Sequence, residues 1–439
     1  MTASLGVSKR RQHPTRAAVP KEEYNRTHLE PVVNRGLMVV LIAALAASAN
    51  AQVALSPAET AVANRVLDGE PAGERLRCTI ERKDPSLDFE FRFTAGFTIE
   101  CPLKVFEGRR STVRTFVRVT PARGAPVVLG GTGDLPAVPA EMAARTDSRK
   151  VNTDLQFSGT FTLGEGRYRV EVLAVDDRER TCRKEWEINV VRHSAVAASS
   201  AIMKAGTVGP ADFVPWDGRR QTSAENVRLT VQLDVASIHP RDATLRAWDR
   251  LLLLDSLSAL LRELPCKSVR LVAFNLDQQR EIYRNSRFRG GDQFDALQKA
   301  MQELELGTVS YHVLQQQQGW VEMLWRLANV ELRADDPPDA VIILGPATPT
   351  EMRIDKAKLQ RRETANPQFF YFEYSRKWRS EPFPDSMGTL TKALGGTAFI
   401  FHSPQELAQD IQKMLRKLKP SVPQEAAATR WPARAAPKP

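Results

Sequence analysis

In the run LDFEFRF, Leu87, Phe89, Phe91 and Phe93 alternate with Asp88, Glu90 and Arg92, a period of two that predicts a strand with one buried face. No other strand signal in the chain is as clear. Between Leu76 and Val191 the segments FTIECPLKVF, TVRTFVRV, DLQFSGTF, RYRVEVLAV and KEWEINVV continue the β pattern, broken by Gly108, Pro121, Gly124, Gly164 and Gly166. No helical period intervenes, so residues 76–191 are predicted to form an all-β sandwich.

Residues 192–225 turn to Ala, Ser, Gly and Pro with little periodicity and read as a linker. From 226 to 419 the rhythm becomes strand, helix, strand, helix. VRLTVQLDV leads into a helix expected to bury Leu251, Leu254, Leu257, Leu261 and Leu264. SVRLVAFN follows as a central strand, with REIYRNSRF as its hairpin partner. Asp292 is expected to cap a helix carrying Phe294, Leu297, Met301 and Leu304, and a longer helix from Gly319 to Val330 precedes the strand DAVIILG. FFYFEY and TAFIF supply two further strands. The last helix opens on Ser403, Pro404 and Glu406, a capping box with proline in its first turn, and buries Leu407, Ile411, Met414 and Leu418. This alternation predicts a doubly wound α/β domain with a mostly parallel sheet, and residues 420–439 read as a disordered tail.

Charge changes the picture at the ends. The formal net charge is +10, but residues 1–36 carry seven Lys/Arg against three Asp/Glu and residues 413–439 carry seven against one. The stretch 37–412 is left with 48 of each sign and is neutral. A nucleic-acid-binding domain would concentrate cations on a folded face, so that class is set aside. Residues 1–36 read as a basic disordered extension. Leu37–Ala47 is an uncharged apolar run behind Arg35, and Ala49-Asn50-Ala51 offers small residues for cleavage before Gln52, which makes 37–51 a secretory signal peptide. The run is shorter than the roughly 20 apolar residues of a bilayer span, so the mature form is expected to lack a stable membrane span and to be periplasmic or extracellular.

Export makes Cys78, Cys101, Cys182 and Cys266 candidates for disulfides. The first three fall in the β region. One bridge is expected there, with Cys266 buried and unpaired, although spacing alone leaves the connectivity open. No C-x-x-C spacing points to zinc or redox chemistry.

Two resemblances sharpen these expectations. LGEGRYRVEVLAVD, with Gly166 ahead of Tyr168 and a strand running to Asp176, resembles the penultimate strand of immunoglobulin-like modules. The strand ending at Asp234, the long helix, SVRLVAFN with its hairpin, Gly307-Thr308, DAVIILG and LTKALGGTAFIF together resemble a von Willebrand factor type A domain of the divergent kind in bacterial exported proteins. This second resemblance covers about 190 residues, under half the chain. It implies a Rossmann-like domain behind an immunoglobulin-like sandwich, with a divalent cation held by an Asp-x-Ser-x-Ser loop, a Thr in a second loop and an Asp in a third.

Here the first loop reads Asp234-Val235-Ala236-Ser237-Ile238. Asp234 matches, Ala236 and Ile238 replace the serines, and Ser237 is one position out of register. Thr308 matches the second loop. The third reads Leu344-Gly345-Pro346 and brings no carboxylate. A hard cation needs about six oxygens, so the site is expected to be degenerate, with no metal or other cofactor, leaving Asp234, Ser237 and Thr308 as binding-loop residues.

A hydrolase would need a nucleophile on a strand-to-helix elbow with a base in reach. No G-x-S-x-G occurs; Ser237 near His239 is the closest approach, with His312 and His402 elsewhere. Gly290-Gly291 lacks the Lys and Ser/Thr of a phosphate loop. The sequence therefore predicts a non-enzymatic, exported adhesion or scaffold-like protein whose partner is another protein. The rival readings are a metal-dependent adhesin and a hydrolase.

Overall fold

The computed structural model describes residues 2–6 and most of 52–418; the longer stretches outside the description are 7–51, 138–153, 192–202, 219–226, 307–312, 348–354, 361–366, 376–384 and 419–439. The signal segment, the carboxyl-terminal tail, Gly307, Thr308, His239 and His312 all lie outside the described residues. The chain divides into two units, the first drawn mainly from residues up to 212 and the second mainly from 213 onward.

The first unit contains β1 (Thr2–Gly6), β2 (Val53–Ala54), helix α1 (Pro57–Asp68), β3 (Thr79–Leu87), β4 (Phe93–Pro102), β5 (Ser111–Pro121), β6 (Val127–Leu135), β7 (Asp154–Leu163), β8 (Gly166–Asp176), β9 (Thr181–Val190) and β10 (Val208–Pro210). One antiparallel sheet runs β1-β7-β4-β3, with β10 also on β7, and a second runs β2-β6-β5-β8-β9. Alternate residues bury Phe97, Ile99 and Cys101 on β4, Phe157 and Phe161 on β7, Val117 and Val119 on β5, and Tyr168, Val170 and Val172 on β8. The other face of β8 is also buried. Its Leu173 and Val175, with Val128, are covered by Ala63 and Leu67 of α1, so residues 172–175, VLAV, can be apolar without a break. That helix starts on a complete capping box: Ser56 Oγ accepts from the Glu59 N–H, the Glu59 carboxylate accepts from the Ser56 N–H, and Pro57 opens the first turn.

Cys78, just ahead of β3, is bonded to Cys182 on β9, joining the edges of the two sheets across 104 positions of sequence. Closing a loop of that length restricts the unfolded chain by about 5 kcal/mol in the chain-entropy account. Cys101 and Cys266 are buried thiols. At the corner before β8 the Tyr168 hydroxyl donates to the Gly164 carbonyl at 2.8 Å. A side chain on Gly164 would stand 1.9 Å from the Lys204 carbonyl oxygen, so glycine is what lets the segment leading to β10 approach.

The second unit contains β11 (Val227–Asp234), α2 (Ala247–Glu263), β12 (Cys266–Asn275), β13 (Arg280–Asn285), α3 (Gln293–Gln302), α4 (Gly319–Leu332), β14 (Ala340–Pro346), β15 (Gln368–Tyr374), α5 (Ser386–Ala393), β16 (Thr397–Phe401) and α6 (Pro404–Lys417). Its sheet runs β13-β12-β11-β14-β15-β16, parallel except for the antiparallel β12–β13 hairpin. On one face, Met323, Leu324, Leu327 and Leu332 of α4 and Met387 and Leu390 of α5 pack on Val272, Phe274, Val341, Ile343, Phe369 and Tyr371. Polar residues inside β11 are matched by α4: Thr230 donates to Glu331 at 2.8 Å, and Gln232 donates to the Leu327 carbonyl at 3.2 Å.

The expected fold class is corrected. It was a doubly wound, mostly parallel von Willebrand factor type A or Rossmann-like α/β domain behind a self-contained immunoglobulin-like sandwich. The described chain is instead mainly β, with sixteen strands in three sheets, two antiparallel and one mixed, and six α-helices. The first unit takes strands from 2–6, 53–54 and 208–210 and a covering helix, none of them within 76–191. In the second, the described residues between parallel β14 and β15 hold only a short 3-10 turn, Lys356–Lys358, where double winding asks for a crossover helix.

Smaller expectations change too. LDFEFRF is not one strand: Asp88 Oδ1 accepts from the Glu90 N–H and the Asp88 carbonyl from the Phe91 N–H, while Phe91 takes φ +63°, so a side-chain-closed turn interrupts the alternation. Thr2–Gly6, read as unstructured extension, pairs with β7 as an uncharged strand. Val208–Pro210, read as linker, pairs with β7 further along. Leu251 is 47% exposed, because the four consecutive leucines 251–254 cannot all face inward. Asp292 makes no side-chain cap bond; the turn is set by Gly290 and Gly291, whose positive φ lets the Trp216 carbonyl accept from the Gly291 N–H.

Candidate functional site

In the second unit the carboxyl ends of the parallel strands gather the sequence-predicted loop residues that the structure describes. Asp234 is the last residue of β11 and is 1% exposed. Gly345, one position beyond the Leu233–Leu344 register pair, lies against it: a Cβ there would stand 2.7 Å from Asp234 Cβ. The chain beyond Asp234 is held by Asn275 at the end of β12. Its amide donates to the Val235 carbonyl at 2.7 Å, while Val235 N–H donates to the Phe274 carbonyl at 2.7 Å.

Ser237 is turned back toward the protein. Its hydroxyl lies 3.1 Å from Asp242 Oδ2 and 3.3 Å from Asp249 Oδ2, both of which accept. Asp249 is in the first turn of α2 and 1% exposed, and Asp242 also accepts from Arg246 at 2.6 Å. The serine thus ties the loop after β11 to the helix start.

A second group surrounds Tyr371 of β15, which is fully buried. Its hydroxyl is 3.4 Å from the Pro346 carbonyl oxygen. Burial first, then the nearby charges of Asp385, Glu373 and Asp234, hold the phenol well above its ordinary titration range, so it stays a protonated donor. Asp385 caps α5, accepting from the Gly388 N–H at 3.0 Å and the Met387 N–H at 3.4 Å.

The described residues of this group supply few side-chain oxygens for a divalent cation, Thr308 lying outside the description. Ala236 and Ile238 have no side-chain oxygen, Gly345-Pro346 brings no carboxylate, Ser237 Oγ faces carboxylates, and Asp385 faces backbone donors. Among the described residues no group of three or more His, Cys, Asp or Glu is arranged to hold a metal ion. His402, weighed as a catalytic base, has Nδ1 against the Ser375 carbonyl oxygen, and its backbone N–H donates to Glu406 at 2.6 Å.

Beside this polar group, the first two turns of α2 present Trp248 and Leu251, each 47% exposed. The Trp248 ring is 5.9 Å from that of Tyr374, at the end of β15, and Tyr374 stands edge-on to Phe401 at 5.6 Å. Asp242, Asp249, Asp385 and Trp248 were not singled out from sequence. Asp385 alone carried a signal, an Asp directly ahead of a helix. The aromatic run Phe369–Tyr374 forms a buried strand, with Phe370, Tyr371 and Phe372 at most 3% exposed. Among the described residues no helix is long and apolar enough to cross a membrane.

No protein-family model matches the chain, and no curated protein matches it. Solved structures give distant likenesses. Northeast Structural Genomics Consortium target SoR45 is 14% identical over 28% of this chain and 96% of its own, with a TM-score of 0.16. A calcium-binding mutant of Bacteroides uniformis beta-glucuronidase 2 is 10% identical with a TM-score of 0.16, and a Bacteroides uniformis beta-glucuronidase crystal structure is 12% identical with a TM-score of 0.17. This chain spans 38% of the length of either glucuronidase. Similarity at this level carries neither fold nor activity across.

Proposed function

We propose that this chain is an exported, non-catalytic protein-interaction protein, adhesive or scaffold-like, that engages another protein through the loops at the carboxyl end of its mixed sheet without a bridging metal. The observation that carries this reading is the division of labour at the start of α2. Ser237 is hydrogen-bonded to both Asp242 and Asp249, while Trp248 and Leu251 in the first two turns of the helix stay half exposed. Interface anchors are enriched in tryptophan, which buries a large area at small entropic cost. Export is supported by the segment 37–51 and by the Cys78–Cys182 bond, which persists in oxidising compartments.

The test places a photo-crosslinking side chain at Leu251 and, as control, at Val330, which is 45% exposed near the opposite end of the sheet on α4. The exported-protein fraction of the producing cells is the target. Cross-links from position 251, absent from 330 and unchanged by a chelator, are expected. Equal labelling from both positions, or loss on chelation, would overturn the reading.

A further inference from the structure

The mixed sheet ends on β16, and among the described residues no strand pairs with its outer side. The direction of its backbone groups follows from one hydrogen bond. The Phe401 carbonyl accepts from the Ser375 N–H just past β15, so in this parallel pair Thr397, Phe399 and Phe401 turn their N–H and C=O groups inward. Ala398 and Ile400 turn theirs to the open edge. Proteins commonly guard such an edge with charge, as β13 at the other end of the sheet does with Arg280, Glu281 and Arg284. The strand TAFIF carries neither charge nor proline, and its Ile400 is 52% exposed.

Self-complementarity selects what this edge takes. A second TAFIF strand laid antiparallel to the first, with the two-fold axis at Phe399, sets Ala398 opposite Ile400 of the other copy, and Ile400 opposite its Ala398. Those are the residues whose backbone groups point outward, so each pair exchanges both of its N–H···O bonds. Ala398 packs on the core beneath α4 and α5, and Ile400, two positions on, shares that face, so each exposed Ile400 is covered beside the other copy's Ala398. The opposite face carries α6. Its Lys417 donates to Thr397 Oγ1 at 3.3 Å and lies over the Phe399 ring, while Glu406 in its first turn accepts the His402 N–H beyond the other end of the strand. The two-fold axis therefore brings the basic end of α6, Arg416 and Lys417, to the Glu406 end of the second copy's α6, with opposed helix dipoles side by side. We propose that β16 is a dimer edge: two copies of this chain pair antiparallel through β16 and join their six-stranded sheets into one.

Sedimentation equilibrium of the full chain is expected to show a reversible monomer–dimer equilibrium. Ile400→Lys sets a charge at the edge of each copy and is expected to weaken the dimer about tenfold or more. Val330→Lys, at an exposed position of α4, serves as control and is expected to leave the dimer intact. Hydrogen exchange of the unaltered protein adds a reading that needs no variant: the Ala398 and Ile400 amides are expected to exchange more slowly at dimer-forming concentration than in dilute solution. A chain that stays monomeric, a dimer as tight in Ile400→Lys as in the wild type, or exchange at 398 and 400 that ignores concentration would each overturn the proposal.

Discussion

Gly345 and Asp234 meet across adjacent strand ends so closely that a single methyl on the glycine would stand 2.7 Å from the aspartate Cβ and 3.1 Å from its carbonyl oxygen. Both contacts involve atoms fixed in the sheet. Gly345→Ala is therefore expected to force β14 and β11 apart at their ends and to lower stability by about 1–3 kcal/mol, read from the urea midpoint. An unchanged midpoint would show that the strand ends are loose.

Arg228 holds the start of the mixed sheet. Its guanidinium reaches Asp339 Oδ1 at 2.9 Å, its own N–H donates to Asp339 Oδ2 at 2.7 Å, and its other arm reaches Asp336, whose side chain is 79% exposed against 5% for Asp339. Removing the buried partner strands the Arg228 backbone donor and leaves the guanidinium only its exposed partner, Asp336. Asp339→Ala is expected to cost about 2–3 kcal/mol and Asp336→Ala less than about 1 kcal/mol. Equal costs in thermal or urea unfolding would contradict the assignment.

The cysteines divide by chemistry. Burial pushes the Cys101 thiol up to about 12, with the charges of Asp176 and Asp154 adding to the shift, and burial alone pushes Cys266 up to about 12. Neither thiol ionises near neutral pH, so alkylation of the native protein is expected to label none of the four cysteines. Unfolding should expose two, and reduction all four. Cys182→Ser is expected to cost about 2–4 kcal/mol.

Glu171 gives the first unit a pH dependence of defined sign. Its bonds to Arg118 at 2.6 Å and Arg183 at 2.9 Å hold its carboxyl below the usual carboxylate range, Arg118 contributing most. A depressed folded value means the stabilisation is complete above the unfolded value and is lost as pH falls through the folded one. About 1–3 kcal/mol of acid-sensitive stability is expected from this carboxylate, discounted for the exposure of Arg183. Glu171→Gln should flatten that part of the acid limb. A variant with the wild-type pH profile would remove Glu171 from the account.

What could be read from the sequence followed from short-range chemistry. Ser403, Pro404 and Glu406 marked the start of α6 because a cap needs only neighbours, although the Glu406 carboxylate takes the His402 N–H rather than that of Ser403. The same reasoning overlooked Ser56 and Glu59, whose box opens a helix short enough to hide between apolar runs. LDFEFRF misled because alternation describes a strand until one residue, here Asp88, satisfies the backbone locally and turns it. The candidate site was legible only in part. Asp234 could be placed from its strand, but Ser237, Asp242 and Asp249 are joined by a fold-back of twelve residues whose direction no periodicity records. Pairings of β1 and β10 with β7 are long-range and leave no local trace.

The central claim is a carboxyl-end surface that works without a cation. Titration calorimetry of the chain with magnesium and with manganese tests it most directly, with Asp234→Ala in parallel. No saturable heat is expected from either protein. Saturable binding of micromolar strength in the wild type, abolished in the variant, would contradict it.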